Sequence, residues 1–427
     1  MTVPSVDPAR SRQAALGIVR TLREAGHVAY FAGGCVRDEL LGLAPSDYDV
    51  ATDATPLRLK QLFPYTNEVG ASFGVMLVQT GRGADKVINE VATFRADGTY
   101  TDKRRPDTVT FSTPEADARR RDFTMNALFL DPLAEATGGD ASPLGGRVLD
   151  FVGGRADLAS KIVRAVGDAE RRLAEDHLRA LRAVRLASRL GFQIEQGTAD
   201  AIRTHASDLG GVSRERIGDE VRKMLAHRTR ADAVRTLNAL ALDAPTLHEQ
   251  PLEHSTARLE ALGERASTGT ALAAWALDRG LDAAAPEATI ARWRRALCLS
   301  NEETAEFGGV VRHLASLRGD WIRRGVAVQK RSASSSWFGA ALVVFGVEDA
   351  ARSCAIRNRV EELTQTVSGL SPTPLVNGDD LVAMGMKPGP NFKKLLDEVY
   401  DAQLEDRVRD QGEARALARE LARTMGV

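Results

Sequence analysis

A glycine turn followed by two closely spaced carboxylates is the feature that most restricts what this chain can fold into. An apolar strand leads into the glycine pair at 33–34, and a second predicted strand carries Asp47 and Asp49. Successive side chains on a strand point to opposite faces. The two aspartates therefore project together, while Tyr48 and Val50 pack behind them.

Two carboxylates held this close repel each other unless a divalent cation lies between them. Mg²⁺ prefers hard oxygen ligands and accompanies triphosphates, so it is the natural occupant. An Asp-x-Asp pair alone is more often simply solvated, but here it follows the glycine pair and Arg37-Asp38 at close spacing. The combination predicts nucleotidyl transfer, with Asp47 and Asp49 as catalytic metal ligands.

Glu90 is the candidate for a third acid. On the strand predicted at 86–94 it shares a face with Ile88, Ala92 and Phe94, so it is a charge on an otherwise apolar side. Such a charge is costly to bury unless it is paired or bound to a metal. The alternative is a salt bridge to a nearby arginine, either Arg37 or Arg95.

Composition sets mild limits on the class of protein. A chain of 427 residues predicts two to four structural units, and a net charge of -1 gives no global basic signature for nucleic acid. Cys35, Cys298 and Cys354 are far apart, which argues against a zinc site or a disulfide framework. With no signal-peptide pattern and no apolar run of about 18 residues, the sequence predicts a soluble cytoplasmic protein.

The predicted secondary structure changes once along the chain, near residue 150. Up to that point β-rich runs alternate with turns and with one helix starting near Thr55, and the predicted strands are 27–31, 48–51, 75–79, 86–94 and 108–111. Beyond it the pattern is helical and rich in Ala, Leu and Arg. Residues 281–289 and 329–336 are predicted to be loops. The fold class is therefore α+β, with an α/β head followed by helices.

The run from Gly33 to Gly42 resembles the first motif of the class II tRNA nucleotidyltransferase and bacterial poly(A) polymerase family. The resemblance implies a polymerase-β-like head with a mixed sheet over 1–150. It also implies a helical neck over 151–230, a helical body over 231–370 and a tRNA-binding tail over 371–427. In that family Gly33, Gly34 and Arg37 would bind triphosphate, and an acid at Glu90 would join the aspartate pair.

A second motif lies at Arg119–Leu128. Three arginines followed by an acid would ordinarily form a solvated, capped helix end. The run also resembles the family's Arg-Arg-Asp-Phe-Thr-x-Asn-Ala motif, which implies that Arg120 and Arg121 clamp phosphate oxygens. Asp122 would then accept from ribose hydroxyls, and Asn126 would support the same pocket.

The stretch around Asp176 and Arg179 carries the most selective chemistry. On a helix the two are three residues apart and would form an ordinary surface ion pair. Cytosine and adenine each present an amino donor beside a ring-nitrogen acceptor, which a carboxylate and a guanidinium together can match. The stretch resembles the family's Glu-Asp-x-x-Arg motif, which is credited with this selection. Arg182 and Arg185 are assigned to the same nucleotide site.

Candidate RNA contacts are more diffuse. Residues 155–230 hold 16 basic and 11 acidic side chains, a modest excess that a solvated face would also show. Segment 149–158 resembles the family's hinge, where a plain turn is the alternative, and segment 213–216 with Glu220 resembles its fifth motif, where a capped helix is equally consistent. Recognition of an RNA stem by shape would use basic side chains, for which the candidates are Arg214, Arg216, Lys387, Lys393 and Lys394.

The resemblance predicts template-independent addition of CMP and AMP, from CTP and ATP, to tRNA 3′ ends with Mg²⁺. Residues 100–111 resemble the flexible loop of relatives that add the terminal A, and the segment around Phe73-Gly74 lacks the arginines usual in poly(A) polymerases. An enzyme that adds only A, a poly(A) polymerase and a catalytically inactive RNA-binding protein remain the alternatives. No phosphohydrolase-type His-Asp domain is found in the C-terminal half.

Overall fold

The computed structural model describes residues 7–70, 74–97, 109–135 and 138–425. The chain forms two compact units. The first holds the described residues of Met1–Met224 together with Arg235–Pro251, and the second holds Leu225–Val234 with Leu252–Val427. The boundaries predicted at 150, 230 and 370 stay predictions.

A mixed β-sheet is the centre of the first unit. Within the described residues it has seven strands in the order β3-β4-β5-β2-β1-β8-β9, with β2 and β5 parallel and every other neighbouring pair antiparallel. Its strands are β1 (Ala29–Ala32), β2 (Val50–Thr52), β3 (Thr66–Gly70), β4 (Val75–Thr80), β5 (Val87–Thr93), β8 (Phe129–Asp131) and β9 (Arg147–Leu149). Two small two-stranded sheets join β6 (Arg95–Asp97) to β7 (Val109–Phe111) and β10 (Ile162–Val163) to β11 (Gln193–Ile194).

Helices account for most of the remaining chain. Those up to Leu247 are α1 (Pro8–Glu24), α2 (Gly34–Leu40), α3 (Pro56–Leu62), α4 (Pro114–Arg119), α5 (Gly154–Ser160), α6 (Ala169–Glu175), α7 (Leu178–Leu190), α8 (Gln196–Thr204), α9 (Arg214–Leu225), α10 (Arg230–Ala239) and α11 (Asp243–Leu247). Those that follow are α12 (Ala257–Ala261), α13 (Thr268–Asp278), α14 (Glu287–Leu297), α15 (Asn301–Arg318), α16 (Val326–Ala333), α17 (Phe338–Glu348), α18 (Ala350–Thr364), α19 (Gly378–Ala383), α20 (Asn391–Leu404) and α21 (Gln411–Met425). No helix in the described part of the chain is long and apolar enough to span a membrane.

Aromatic and small apolar side chains form the core under one face of the sheet. Phe94 and Phe129 are fully buried there, with ring centroids 5.8 Å apart, and Ala32 and Ala51 belong to the same cluster. Burial of this kind contributes about 1.5–3 kcal/mol for each large apolar side chain. The core therefore fixes β1 and β2, and the glycine turn after β1 and the aspartates before β2 are positioned by these two strands.

The sequence predicted most of these elements, with clear exceptions. The five strands predicted up to residue 111 correspond to β1, β2, β4, β5 and β7. The helix that begins after Thr55 is confirmed, and Thr55 caps it by accepting the Arg58 N–H. Strands β3, β6, β8 and β9 were not predicted, and the neck contains the short β10–β11 pair besides helices. The loop predicted at 329–336 is wrong, because residues up to Ala333 continue α16.

Candidate active site

The glycine turn lies at the end of β1 and begins α2. Gly33 has φ +76°, a conformation that side-chain-bearing residues rarely adopt, and a Cβ there would lie 2.8 Å from Nη1 of Arg121. The Gly33 N–H donates to the carbonyl of Leu128 at 3.0 Å. Glycine at this position therefore lets the Arg121 guanidinium approach the backbone of the turn.

The two aspartates precede β2 instead of lying on it, which corrects the predicted strand boundary. Asp49 is nevertheless held as a strand neighbour, because its carbonyl accepts the Ala32 N–H at 3.0 Å. The predicted alternation is confirmed: Tyr48 and Val50 are buried, Asp47 is exposed and Asp49 is half-buried. Both carboxylates thus face away from the packed side of the segment.

Asp49 lies in a strongly negative environment. Burial, followed by the charges of Asp47 and Glu90, raises the pKa of Asp49 to about 7 against the opposing charge of Arg121. Extending the β2–β5 register, in which Val50 is opposite Val91, places Asp49 opposite Glu90. Three carboxylates and one guanidinium therefore share this end of the sheet.

The environment of Glu90 differs from the prediction. Its face of β5 is open, since Glu90 is exposed and Ile88 is 46% exposed, whereas Val87, Asn89 and Val91 on the opposite face are buried. The acid is therefore accessible and is not a buried charge among apolar residues. Sequence alternation identified the shared face of the strand but could not tell which face the core covers.

Arg37 faces inward from α2. It is 5% exposed, its Nη2 lies 2.7 Å from Oδ1 of Asp38, and its Nη1 donates to Oδ1 of Asn126 at 2.6 Å. The suggested salt bridge between Arg37 and Glu90 is therefore replaced by this buried network. Arg189 of α7 adds a contact at 3.4 Å to the second carboxylate oxygen of Asp38.

The carboxylate of Asp117 holds the arginine run in place. Asp117 is buried and accepts from Arg120 at 2.6 Å and from Arg121 at 3.1 Å. Burial alone would raise the pKa of Asp117, but the two guanidiniums hold it below its usual value. Asp117 on α4 was not among the predicted site residues, although its spacing of three and four residues from Arg120 and Arg121 was a usable signal.

Asp122 joins the head to α7. Its carboxylate lies 2.6 Å from Nη2 of Arg182 and accepts the Asn126 amide at 3.2 Å and the Phe123 N–H at 2.8 Å. Burial alone would raise the pKa of Asp122, but the Arg182 guanidinium lowers it to about 2. Because Asn126 also accepts from Arg37, the polar chain Arg37–Asn126–Asp122–Arg182 is continuous.

The predicted helical neighbours Asp176 and Arg179 are separated by a helix break. Asp176 follows α6 with an extended backbone (φ -155°, ψ 101°), and its carboxylate binds Arg216 at 2.7 Å. Arg179 lies on α7 and binds Glu175 at 2.7 Å. The prediction that both lie on one helix is therefore wrong, and the ion pair that was the alternative to a base-selecting role is replaced by these separate pairs, although the Arg179 N–H donates to the Asp176 carbonyl at 3.0 Å.

The arginines of α7 form one charged stripe. Arg179, Arg182 and Arg185 recur at three-residue spacing and so share a face of the helix. Arg185 binds the buried carboxylate of Glu220 at 2.6 Å, and the charges of Asp122 and then Glu220 raise the pKa of Arg182. Each guanidinium of the stripe is thus held by a carboxylate from a different part of the chain.

The predicted RNA contacts divide into two groups. Arg214 donates to the carbonyls of Pro245 and Thr246, and Arg216 is paired with Asp176, so both serve internal contacts. Three lysines are exposed on the second unit, and they are Lys387, Lys393 and Lys394.

The hinge segment is a tightly hydrogen-bonded turn. One carboxylate, that of Asp150, accepts the N–H groups of four residues from Val152 to Arg155 at 2.9–3.1 Å. A Cβ on Gly154 would lie 2.2 Å from the carbonyl oxygen of Thr124, so only glycine fits there. Most of the loop predicted at 100–111, and Phe73 before β4, lie outside the described residues.

Cys35, within the glycine motif, is not a nucleophile. Burial raises the pKa of its thiol to about 12, so the reactive thiolate is not formed near neutral pH.

Elsewhere in the first unit, three side chains could together hold a metal ion. His177, His205 and Asp208 each bring one potential ligand atom to within 4.8 Å of the others.

Two family models match the chain. The poly A polymerase head domain matches residues 29–164, and the probable RNA and SrmB-binding site of polymerase A matches residues 191–249. A CCA-adding enzyme of Geobacillus kaustophilus (strain HTA426) is 35% identical over 93% of this chain and 94% of its own length. A CCA-adding enzyme of Levilactobacillus brevis is 34% identical over 90% and 91%, respectively.

Solved structures agree with these matches. The crystal structure of the Bacillus stearothermophilus CCA-adding enzyme in complex with CTP has a TM-score of 0.75 at 30% identity, covering 97% of this chain and 98% of that one. The Thermotoga maritima CCA-adding enzyme complexed with tRNA has a TM-score of 0.66 at 18% identity over 98% and 97%, which shows a shared fold. The α+β fold with a nucleotidyltransferase head is therefore confirmed.

Proposed function

Because this chain belongs to the family of CCA-adding enzymes, we propose that it adds CMP and AMP, from CTP and ATP, to tRNA 3′ ends without a nucleic-acid template. The family resemblance inferred from the glycine motif is thereby confirmed. The proposal for the reacting centre is carried by one observation, which is the convergence of Asp47, Asp49 and Glu90 beside Arg121.

The carboxylates fit a bound divalent ion. The raised pKa of Asp49 means that its surroundings favour a neutral group, and a cation would supply the missing positive charge. Asp47 and Asp49, with Glu90, would hold this ion, and oxygen ligands of this type suit Mg²⁺. When bound, Mg²⁺ makes the primer 3′-hydroxyl more acidic and stabilises the charge of the departing pyrophosphate.

Protein side chains orient the triphosphate in this proposal. Arg121 approaches the turn at Gly33, and its positive charge acts to lower the pKa of Asp49. Its guanidinium is therefore placed to contact phosphate oxygens next to the carboxylates. Arg120 is paired with the same carboxylate as Arg121, since its Nη2 lies 2.6 Å from Oδ1 of Asp117. We assign Arg37 a positioning role in place of the predicted phosphate contact, since it is buried against Asp38.

Base selection is assigned to the junction between α6 and α7. Asp176 is paired with Arg216, and Arg179 is paired with Glu175. Each side chain is therefore oriented by its own partner, and the two are not paired with each other. A carboxylate that accepts an amino group and a guanidinium that donates to a ring nitrogen would suit cytosine and adenine. Uracil and guanine present a carbonyl and a ring N–H in the reverse positions. The Asp176 carboxylate would then face a carbonyl and the Arg179 guanidinium would face an N–H, which is strongly unfavourable.

The ribose and the acceptor RNA use neighbouring surfaces. Asp122 accepts from the ribose in this proposal, and Asn126 and Arg182 hold its carboxylate in place. The three exposed lysines of the tail contact the tRNA backbone, whereas Arg214 and Arg216 brace the neck. The wide spacing of Cys35, Cys298 and Cys354 along the chain is consistent with a reducing, cytoplasmic location.

Sizing the products made on a tRNA that lacks its 3′ CCA tests the proposal. We expect two added nucleotides with CTP alone, three with CTP and ATP together, and none with UTP or GTP. An enzyme that adds only A would extend a tRNA ending in CC by one nucleotide and ignore CTP. A poly(A) polymerase would produce long tails from ATP alone, and an inactive RNA-binding protein would bind the tRNA and extend nothing.

A further inference from the structure

Two imidazoles and a carboxylate meet at the break between α6 and α7, and none of them has a part in the proposed reaction. Nδ1 of His205 lies 2.8 Å from Oδ2 of Asp208, and Nε2 of His177 lies 3.9 Å from the same oxygen. The two imidazole ring centroids are 5.5 Å apart. The three potential ligand atoms therefore face one small space.

The three residues come from separate elements that the fold holds in place. His177 precedes the first residue of α7 and is 4% exposed, His205 ends α8, and Asp208 lies in the 3-10 turn Ala206–Gly211. All three belong to the first unit. His205 and Asp208 are three residues apart, and the folded neck brings His177 to them from 28 residues earlier in the chain.

Glu170 gives His205 the orientation of a metal ligand. Oε2 of Glu170, on α6, lies 2.7 Å from Nε2 of His205. In metal sites, a histidine that binds through one nitrogen almost always donates its other N–H to a carboxylate, which fixes the tautomer and the ring. Here that contact leaves Nδ1 of His205 directed at Asp208.

We propose that His177, His205 and Asp208 bind a zinc-class transition-metal ion, with Glu170 as the supporting carboxylate and water in the fourth position. Zinc bonds of about 2.0–2.1 Å to nitrogen and oxygen place tetrahedral ligand atoms about 3.3 Å apart. The observed separations of 2.8 and 3.9 Å lie on either side of that value. Two imidazoles select this class of ion over Mg²⁺.

The bound ion would brace the start of α7. His177 directly follows Asp176, so the ion would tie the base-selecting junction to the end of α8 and the turn beyond it. The ion has no contact with the reacting carboxylates in this inference, and its effect is on stability. The scattered cysteines predicted no zinc site, and the proposed site departs from that prediction because its ligands are two histidines and an aspartate.

Cobalt(II) is the probe that tests the site, since four-coordinate Co²⁺ with imidazole ligands absorbs visible light strongly and six-coordinate Co²⁺ does not. Purified full-length protein is stripped of metal, placed in excess Mg²⁺ to occupy oxygen sites, and titrated with Co²⁺ and then Zn²⁺. We expect one equivalent of Co²⁺ to give the four-coordinate spectrum, one equivalent of Zn²⁺ to displace it, and Zn²⁺ to raise the unfolding midpoint.

Variants separate this site from other histidines and carboxylates. His177→Gln and His205→Gln should abolish the spectrum, and Glu170→Gln should weaken Zn²⁺ binding about 10- to 100-fold without removing a ligand. His27→Gln is the matched control, because His27 also contacts a carboxylate, that of Asp53 at 3.1 Å. This variant should bind Co²⁺ and Zn²⁺ normally, since His27 is not one of the proposed ligands. The Asp47→Asn variant should also keep the spectrum.

Absence of the four-coordinate spectrum in the wild-type protein would overturn the inference whether or not any variant folds. So would a spectrum that survives in folded His177→Gln or His205→Gln protein. In either case His205 serves only as a hydrogen-bonded bridge between Glu170 and Asp208.

Discussion

At the scale of single residues, the partners of a buried carboxylate decide whether it is structural or reactive. Burial raises the pKa of both Asp49 and Asp122. The Arg182 guanidinium then lowers the pKa of Asp122 to about 2, whereas burial and the added charges of Asp47 and Glu90 leave the pKa of Asp49 at about 7. A carboxylate whose pKa is strongly raised by burial and by neighbouring acids, as that of Asp49 is, is typical of a site that binds a cation.

The Asp122–Arg182 pair predicts a specific dependence of stability on pH. The folded pKa of Asp122, about 2, is below the unfolded value of about 3.9, so the pair stabilises the fold fully above the unfolded pKa and less as pH falls. In urea unfolding, the stability gap between wild type and Asp122→Asn should shrink by about 2 kcal/mol from pH 6 to pH 2. A gap that stays constant over this range would contradict the assignment.

Glu39 is predicted to support the aspartate segment from behind. Its buried carboxylate accepts from Arg12 at 2.7 Å, from the Tyr48 hydroxyl at 2.8 Å and from Ser142 at 3.0 Å. The Glu39→Gln variant should therefore lose about 2 kcal/mol or more of unfolding free energy in urea, because it leaves a charge without its partner.

The exposed pair of Glu115 and Arg119 offers a matched control for Glu39. Their side chains also lie within hydrogen-bond distance, at 2.8 Å, but more than half of each is exposed. The Glu115→Gln variant should change stability by less than about 1 kcal/mol. Equal losses in the two variants would show that burial does not give Glu39 its importance.

At the scale of elements, the break between α6 and α7 matters more than either helix. Continuous helical spacing would pair Asp176 with Arg179, but the extended backbone at Asp176 sends its carboxylate to Arg216 on α9. Sequence periodicity could not show this break, because the residues on both sides favour helix. Tertiary ion pairs decide the local conformation here.

The junction predicts a change in nucleotide selection when Arg179 is removed. Competition assays with Arg179→Ala should show discrimination of CTP and ATP against UTP falling by about 10- to 100-fold, the value of one or two hydrogen bonds to a charged group. Arg171→Ala is the control on α6, since its side chain is 85% exposed. Unchanged selection in Arg179→Ala would remove the residue from the base site.

At the scale of the whole molecule, local patterns predicted the head better than the arm. Asp47, Asp49 and the glycine turn were recognisable because strand alternation and turn chemistry act over a few residues. The loop predicted at 329–336 was wrong because tertiary contacts hold α16: the buried Lys330 amine donates to Ser368 at 2.7 Å. His177 and His205 meet only through the folded neck, so no spacing rule could pair them.

The chain as a whole is a nucleotidyltransferase of the CCA-adding family, and its activity is expected to depend on the carboxylate of Asp49. Incorporation of CMP into tRNA by the Asp49→Asn variant is the most direct test. We expect the rate to fall by about 10²-fold or more while tRNA affinity is unchanged. Asp53→Asn, a nearby acid that is 44% exposed, should keep wild-type activity. Wild-type incorporation by Asp49→Asn would show that this carboxylate takes no part in the transfer.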